Sequence, residues 1–448
     1  MSCRLPGADS APALWEALQA GKDLLSDVPS AGNDRIPRKG MVPDEGFDCK
    51  YWGVRKEAAV QMETAQRVML EVAHEALEDA GFDPFHVPGR VGVVVCGGTF
   101  SHYGSEVLGV DLDECRTERP DEYFALEIGT DKDYAATTLS YRLNLHGPSE
   151  VTQTACSSAL VAVVRAVHLL RLGVCDYVVC GGVSFSPDGA VRKVDGMIWS
   201  PDGVCRPFAD DANGTVNSDG CGLLVLTRMD AALQRGERIY ATIAGAATNN
   251  DGSRKSSFSA PSHEGQVEVI RTALADAEKV GDDIDYIEAH GTGTRLGDPL
   301  EVLALAEALN TKREVLLGSV KGNLGHMNTA AAVPGLMKAV YMLHHQELVP
   351  TIHAAQRNSM IDWEKHSLRL AAPEVAGKRA LKAIGLSSFG IGGTNAHVIL
   401  EPAPESSNTT PPVRTPYKFQ REPLTAPARK EKAKAAPAPS GNASREES

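Results

Sequence analysis

The chain has 448 residues, with 45 Lys plus Arg against 58 Asp plus Glu, a formal charge of −13. That length suggests two to three units of ~150 residues, or one large α/β body that needs no disulfide or metal staple. An acidic balance with no basic stripe argues against a nucleic-acid binder while leaving open a partner approached through a local basic patch, and no apolar run reaches the ~18 residues of a membrane span.

The early acids Asp9, Glu16, Asp23 and Asp27 argue against a signal or transit peptide. Nine cysteines, with no Cys-x-x-Cys pair and none after Cys221, fit a reducing compartment and no zinc site. The expected setting is cytoplasmic, without a bound metal. A helix is predicted over 64–80, followed by a strand VGVVV (91–95) and a helix over 156–172 that stops at Gly173. Strands YVVC (177–180), GLLVL (222–226) and YATIAGA (240–246) come next, then a helix over 264–277 and strand IDYIEA (284–289). The helix over 299–309 has Pro299 just inside its start and Asp298 before it. Strand VLLGSV (315–320), a helix over 330–345 and strand HVILE (397–401) complete the body. Such alternation implies an α/β fold with parallel-type sheets covered on both faces. At Pro402 the composition shifts to nine prolines, with eight basic residues against five acidic ones. Residues 402–448 read as a disordered Pro/Ala/Lys-rich tail or linker, with a docking arm as the second reading.

Cys156 lies in TQTACSSAL, where a small polar stretch runs directly into an apolar helix. A thiol at a helix N-terminus meets free N–H groups and the macrodipole, which favour thiolate, and a neighbouring N–H can hold an oxyanion. Taken alone, such a cysteine reads more simply as a cap or a packed thiol. It has company. IDYIEAHGTGTRLGDP puts His290 where a strand runs out into a Gly/Thr turn, and LLGSVKGNLGHMNTAA does the same for Lys321 and His326. Loops at the C-terminal ends of strands are where α/β proteins bind ligands. A nucleophilic thiol, two imidazoles able to share one enolate oxygen and a fixed positive charge form a constellation. The hydroxyls of Thr292 and Thr294 can bond the amides of an extended thioester arm. These parts suit carbon–carbon bond formation from two thioesters, or thioester hydrolysis. His344, His345, His353 and His366 read as ordinary surface or core groups. GIGGTN (390–395) lacks the spacing of a dinucleotide fingerprint and reads as a tight loop bringing N–H groups to the site. Gly97-Gly98 and Gly181-Gly182 follow strands and allow close backbone approach.

Four strings in order, TACSSAL, EAHGTGT with GDP, KGNLGH and SSFGIGGTNAH, resemble the β-ketoacyl synthases, over about residues 1 to 401. DKDYAATTLSYRLNLHGPS, GMIWSPDGVCRPF and NNDGS look like ketosynthase domains of type I modular polyketide synthases, particularly those of hybrid peptide–polyketide assembly lines. The resemblance implies a thiolase-like fold, two similar halves in a five-layer α-β-α-β-α sandwich, usually a homodimer. The N-terminal nucleophile half would span 1–230 and the C-terminal histidine half 231–401. Cys156 would be acylated, His290 and His326 would promote decarboxylation of a malonyl-type extender, and Lys321 would support them. The N–H groups of Cys156 and Ile391 would form an oxyanion hole, Thr292 and Thr294 would bind pantetheine, and Phe389, Gly390, Ile391 and Gly392 would form an acyl-gate loop. The implied partner is an acyl carrier protein, whose phosphopantetheine arm carries substrate, with no tightly bound cofactor. Other polyketide synthase domains or a trans-acting acyltransferase are further implied partners.

The sequence departs from the family pattern in several places. Glu63-Thr64-Ala65-Gln66-Arg67 replaces Asp-Pro-Gln-Gln-Arg, Ile391 replaces a gate phenylalanine, Asn328 replaces an acid, Pro334 enters the following helix, and GTVNSDGCG (214–222) differs from the usual wording. Family members usually carry a short strand before the stretch matching MSCRLPGAD, so the first sheet is expected to lack one, through a late start or an excised domain. TPYKFQRE (415–422) resembles linker strings of these assembly lines. No departure removes a catalytic side chain. Members that only accept and pass on chains typically lose the equivalent of His290, which is present here. A chain-length-factor-like subunit would lack Cys156, a decarboxylating loading domain would carry Gln there, and a thiolase-like acyltransferase would have a late second cysteine. An elongating synthase is the expectation, with a non-elongating, chain-transferring domain as the alternative.

Overall fold

The computed structural model describes residues 1–28, 32–97, 103–186, 191–407 and 416–424. Two sheets carry the architecture. The first holds β1 (Ser2–Arg4), β2 (Val91–Cys96), β3 (Ser149–Val151), β4 (Tyr177–Ser184) and β5 (Gly220–Thr227), in the spatial order β1-β5-β4-β2-β3. The second holds β6 (Ala241–Asn250), β7 (Tyr286–Glu288), β8 (Val315–Gly318), β9 (Leu368–Leu370), β10 (Ile384–Phe389) and β11 (Thr394–Pro402), ordered β6-β11-β10-β7-β8-β9. Both sheets wind alike: first strand, last, next to last, second, third. Both have two antiparallel pairings at that end and parallel pairings after them. The expectation of parallel-type sheets is therefore corrected to mixed ones, because each half closes with a strand that returns beside its first. At the front, Ser2–Arg4 pairs with Cys221–Leu223 and forms the edge of the first sheet.

Period-two alternation divides the strands between layers. Val94, Cys96, Val178 and Cys180 face a central core, while Val91, Val93, Val95 and Val179 face an outer one. The outer face of the first sheet is covered by α1 (Thr64–Asp79) and α2 (Ala135–Leu143). Two apolar helices, α3 (Ser158–Arg171) and, later in the chain, Val333–His345, share the central core and touch both sheets. Outside the second sheet lie α4 (His263–Asp276) and α5 (Gly297–Leu309). A four-residue helix, α6 (Lys321–Leu324), precedes the second central helix, α7 (Val333–His345). The result is the thiolase-like α-β-α-β-α sandwich of two similar halves. Each buried Val or Leu contributes about 1.5–3 kcal/mol, so the shared central core is what holds the halves together. No helix among the described residues is long and apolar enough to cross a membrane.

The tail reading needs one correction. Residues 416–424 return to the first half, where Tyr417 stacks on Tyr51 at 4.0 Å and Phe419 stacks on Trp52 at 5.8 Å between centroids. The Tyr417 N–H donates to Glu78, the Gln420 N–H donates to Asp48 at 2.8 Å, and Arg421 pairs with Glu71 and Glu45. Two aromatic anchors thus override a Pro-rich composition. Residues 408–415 and 425–448 of the expected tail, like Gly98, lie outside the described residues.

Candidate active site

Cys156 sits in a single 3-10 turn, Ala155–Ser157, immediately ahead of α3. The turn is entered through Ala155 at φ +55°, a left-handed conformation that costs a residue with a Cβ about 1–2 kcal/mol. Polar ties hold it. The Ser158 hydroxyl accepts from the Thr154 N–H at 2.7 Å, and the Ser388 hydroxyl donates to the Cys156 carbonyl at 2.9 Å. Only 6 % of Cys156 is exposed. Burial pushes its thiol above the ordinary value, while the Ile391 N–H, the Lys321 charge and its own N–H pull the other way. Desolvation is the largest influence on it and opposes the pull of the helix end toward thiolate. Ile391 nevertheless presents its N–H to that sulfur, while its side chain is 46 % exposed. Phe389, from the same loop, is buried against the His290 ring at 5.7 Å. Gly390 is fixed by proximity, because a Cβ there would lie 2.3 Å from the Thr154 carbonyl oxygen. Gly392 lies on the outer side of the loop, beside the ring of Phe258.

The second half brings its residues to the same place. His290 follows β7, and its ring lies 5.6 Å from that of His326, edge to face. His326 follows α6 and is clamped by the first half: its N–H donates to the Val216 carbonyl at 2.7 Å, and the Ser218 N–H donates to its carbonyl at 3.1 Å. The Asn328 N–H donates to His326 Nδ1 at 2.9 Å, so the neutral ring carries its proton on Nε2. Burial, assisted by the Lys321 charge, lowers His326 to about 3. Burial, Lys321 and His326 together hold His290 far below its usual range. Both rings are therefore neutral across the physiological range.

Lys321 begins α6 and is 5 % exposed. Burial lowers its ammonium, while Glu288 and Glu301 hold it up. Thr292 and Thr294 place their hydroxyls 3.1 Å apart on the loop after His290.

Two site residues escape the sequence patterns. Glu301 accepts the N–H groups of His290 at 2.7 Å and Gly291 at 2.8 Å. Asp298 lies within α5 rather than before it, and accepts the N–H of Phe208 at 2.7 Å and of Gly293 at 3.1 Å. Burial raises both carboxyls to about 7. Their spacing, three apart on one helix face directly after the Gly/Thr loop, is the signal that reveals them. Among the described residues no group of His, Cys, Asp or Glu is placed to hold a metal ion.

A family model described as "Beta-ketoacyl synthase, N-terminal domain" matches residues 1–232, "Beta-ketoacyl synthase, C-terminal domain" matches 240–355, and "Ketoacyl-synthetase C-terminal extension" matches 358–440. Erythronolide synthase EryA3 of Saccharopolyspora erythraea is 39 % identical over 92 % of this chain, which covers 13 % of that protein. PKS-NRPS hybrid synthetase acdB of Aspergillus candidus is 37 % identical over 92 % of this chain, 17 % of its own length. The chain thus spans under a fifth of either relative. Ketosynthase twelve of the bacillaene polyketide synthase from Bacillus amyloliquefaciens superposes with a TM-score of 0.83 at 30 % identity, over 90 % of this chain and 74 % of that one.

Proposed function

The chain belongs to the β-ketoacyl synthase family, and from that premise we propose that it is an elongating ketosynthase of polyketide or fatty-acid-like biosynthesis. The Cys156 sulfur attacks the thioester of a carrier-bound acyl chain. The carrier thiol leaves with the proton, and the acyl group stays on sulfur. A malonyl-type extender on an acyl carrier protein then enters. Its bond to the carboxylate carbon breaks, carbon dioxide departs, and the electron pair becomes an enolate whose oxygen lies between His290 and His326. The enolate carbon attacks the acyl carbonyl, the oxyanion meets the N–H groups of Ile391 and Cys156, and the thiolate leaves and takes up a proton. The product is a β-ketoacyl thioester two carbons longer.

One observation carries this reading: two neutral imidazoles, 5.6 Å apart and edge to face, share a buried site with a thiol that faces a backbone N–H. Neutral rings donate N–H to an enolate oxygen without needing to lose a proton first. Lys321 supports them as a fixed charge, Thr292 and Thr294 hold the phosphopantetheine arm, and Phe389–Gly392 line the acyl entrance. The halves 1–230 and 231–401 work as one enzyme, a homodimer in the cytoplasm, served by an acyl carrier protein. Other polyketide synthase domains or a trans-acting acyltransferase supply the extender.

The test is a two-step incubation. An acyl-pantetheine thioester is expected to add its acyl mass to the chain, and malonyl carrier protein is then expected to release a β-keto product. Acylation without condensation reassigns the chain to a domain that only accepts and transfers acyl groups.

A further inference from the structure

The loop that offers Ile391 to the sulfur is short and rich in glycine. Something must fix it. Its inner turn closes through the Gly393 N–H donating to the Gly390 carbonyl at 2.9 Å, and β11 begins directly after it. Its outer side meets the end of β6. There the Asp251 N–H donates to the Gly393 carbonyl at 2.9 Å, and the Asp251 carboxylate accepts from Asn395 Nδ2 at 2.7 Å. Asp251 is 2 % exposed, and the Lys255 side chain, 5 % exposed, brings its ammonium to 3.8 Å from that carboxylate. That separation is too long for a hydrogen bond, and Lys255 Nζ has no other hydrogen-bond partner among the described residues. The ammonium instead lies over the face of Phe258, 5.4 Å from the ring centroid. Phe258 covers Gly392, where a Cβ would sit 3.4 Å from the ring. At Gly393, φ +95°, a Cβ would meet Lys255 Nζ at 2.8 Å and the Asp251 side chain at 2.9 Å. Only a glycine lets the loop lie this close to the pair.

We propose that Asp251, Lys255 and Phe258 form a latch that holds the 390–393 loop with the Ile391 N–H against the Cys156 sulfur, which makes Lys255 a positioning residue for acyl transfer. The proposal rests on the condensing reading above. Removing the ammonium leaves a buried carboxylate without its counter-charge, which drives Asp251 outward. That movement loosens its tie to Gly393 and, through the turn, moves the Ile391 N–H. The steps that build an oxyanion on the acyl carbonyl suffer. Decarboxylation develops its charge between His290 and His326, where the neighbouring ring of this segment is Phe389, held in β10 ahead of the loop.

Two reactions of the full chain separate these effects: self-acylation from an acyl-pantetheine thioester, read by mass, and carbon dioxide release from malonyl carrier protein by the unacylated enzyme. Lys255→Met is expected to slow self-acylation at least about tenfold, as a donor displaced by a fraction of an ångström does, with carbon dioxide release held within about twofold. Lys255→Arg is expected to restore most of the loss. Equal loss of both reactions, no loss of either, or an arginine variant no better than methionine overturns the latch. If Lys255→Met fails to fold, Phe258→Ala decides, since it removes a ring that is 77 % exposed and should give the same split at smaller size. A wild-type chain that performs neither reaction refutes the condensing reading and not the latch.

Discussion

The two halves share one winding, yet they contribute to the site in opposite ways. The first half offers one reactive atom, held by a local device: a strained Ala155, one 3-10 turn and the start of α3. The second half offers His290 after β7, Lys321 and His326 at the two ends of α6, and the Ile391 loop after β10. Its parts are held mostly by contacts distant in sequence, including carboxylates on α5 and the 205–218 stretch of the first half. One environment also acts on both with opposite signs. Burial raises the thiol and lowers the imidazoles, favouring the uncharged form of each, and Lys321 is the charge common to their surroundings. A dry site does not need a standing thiolate to perform thioester chemistry. It needs neutral partners and donors already aimed at where charge will form.

The largest effects should separate the halves completely. Cys156→Ala is expected to abolish self-acylation, seen as a missing mass shift, while carbon dioxide release from malonyl carrier protein persists. His290→Ala is expected to remain acylatable but to lose β-keto product by about 10²–10⁴-fold in a single-turnover assay. Acylation surviving the first change, or condensation surviving the second, breaks the division of labour.

A medium effect concerns pH. Because burial raises the thiol, alkylation of Cys156 by iodoacetamide should climb with pH and show no plateau below about pH 9. Because burial holds His326 at about 3 and raises Asp298 and Glu301 to about 7, an acid-side change in decarboxylation between about pH 8 and pH 5 should centre near 7, with the carboxyls, and not follow the imidazole. A plateau in alkylation near neutrality would instead restore the helix-stabilised thiolate.

The smallest effect tests a region outside the comparison. Phe419→Ala in the returning segment should cost about 1–2 kcal/mol and a few degrees in Tm, with self-acylation unchanged.

Much of this is legible in the sequence, and for physical reasons. The β-branched runs of β2 and β4 are long enough to show burial on both faces. The loops bearing His290, Lys321 and His326 announce themselves by glycine placed between a strand and a helix. Other features give no such sign. Ser149–Val151 and Leu368–Leu370 are three residues each, too short for periodicity, and exist because a neighbour pairs with them. Ile384–Phe389 carries Gly385, Ser387 and Ser388, which give it little strand propensity, and its fully buried setting is what makes it a strand. Glu301, on a helix, reads as a solvated charge, and its role depends on a loop ten residues earlier folding back over it. Pro416 and Pro423 mask the Tyr417 and Phe419 anchors between them.

The left-handed backbone at Ala155 also limits what evolution can write there. Most positions beside a reactive group tolerate whatever their neighbours leave room for, but this one is filtered first by dihedral angle. Glycine passes at little cost, asparagine is tolerated, and valine, isoleucine or threonine are refused even though they differ from alanine by only a few atoms. A library randomised at this codon and sorted for acylation would return a short alphabet, one set by the chain's torsion rather than by the chemistry beside it.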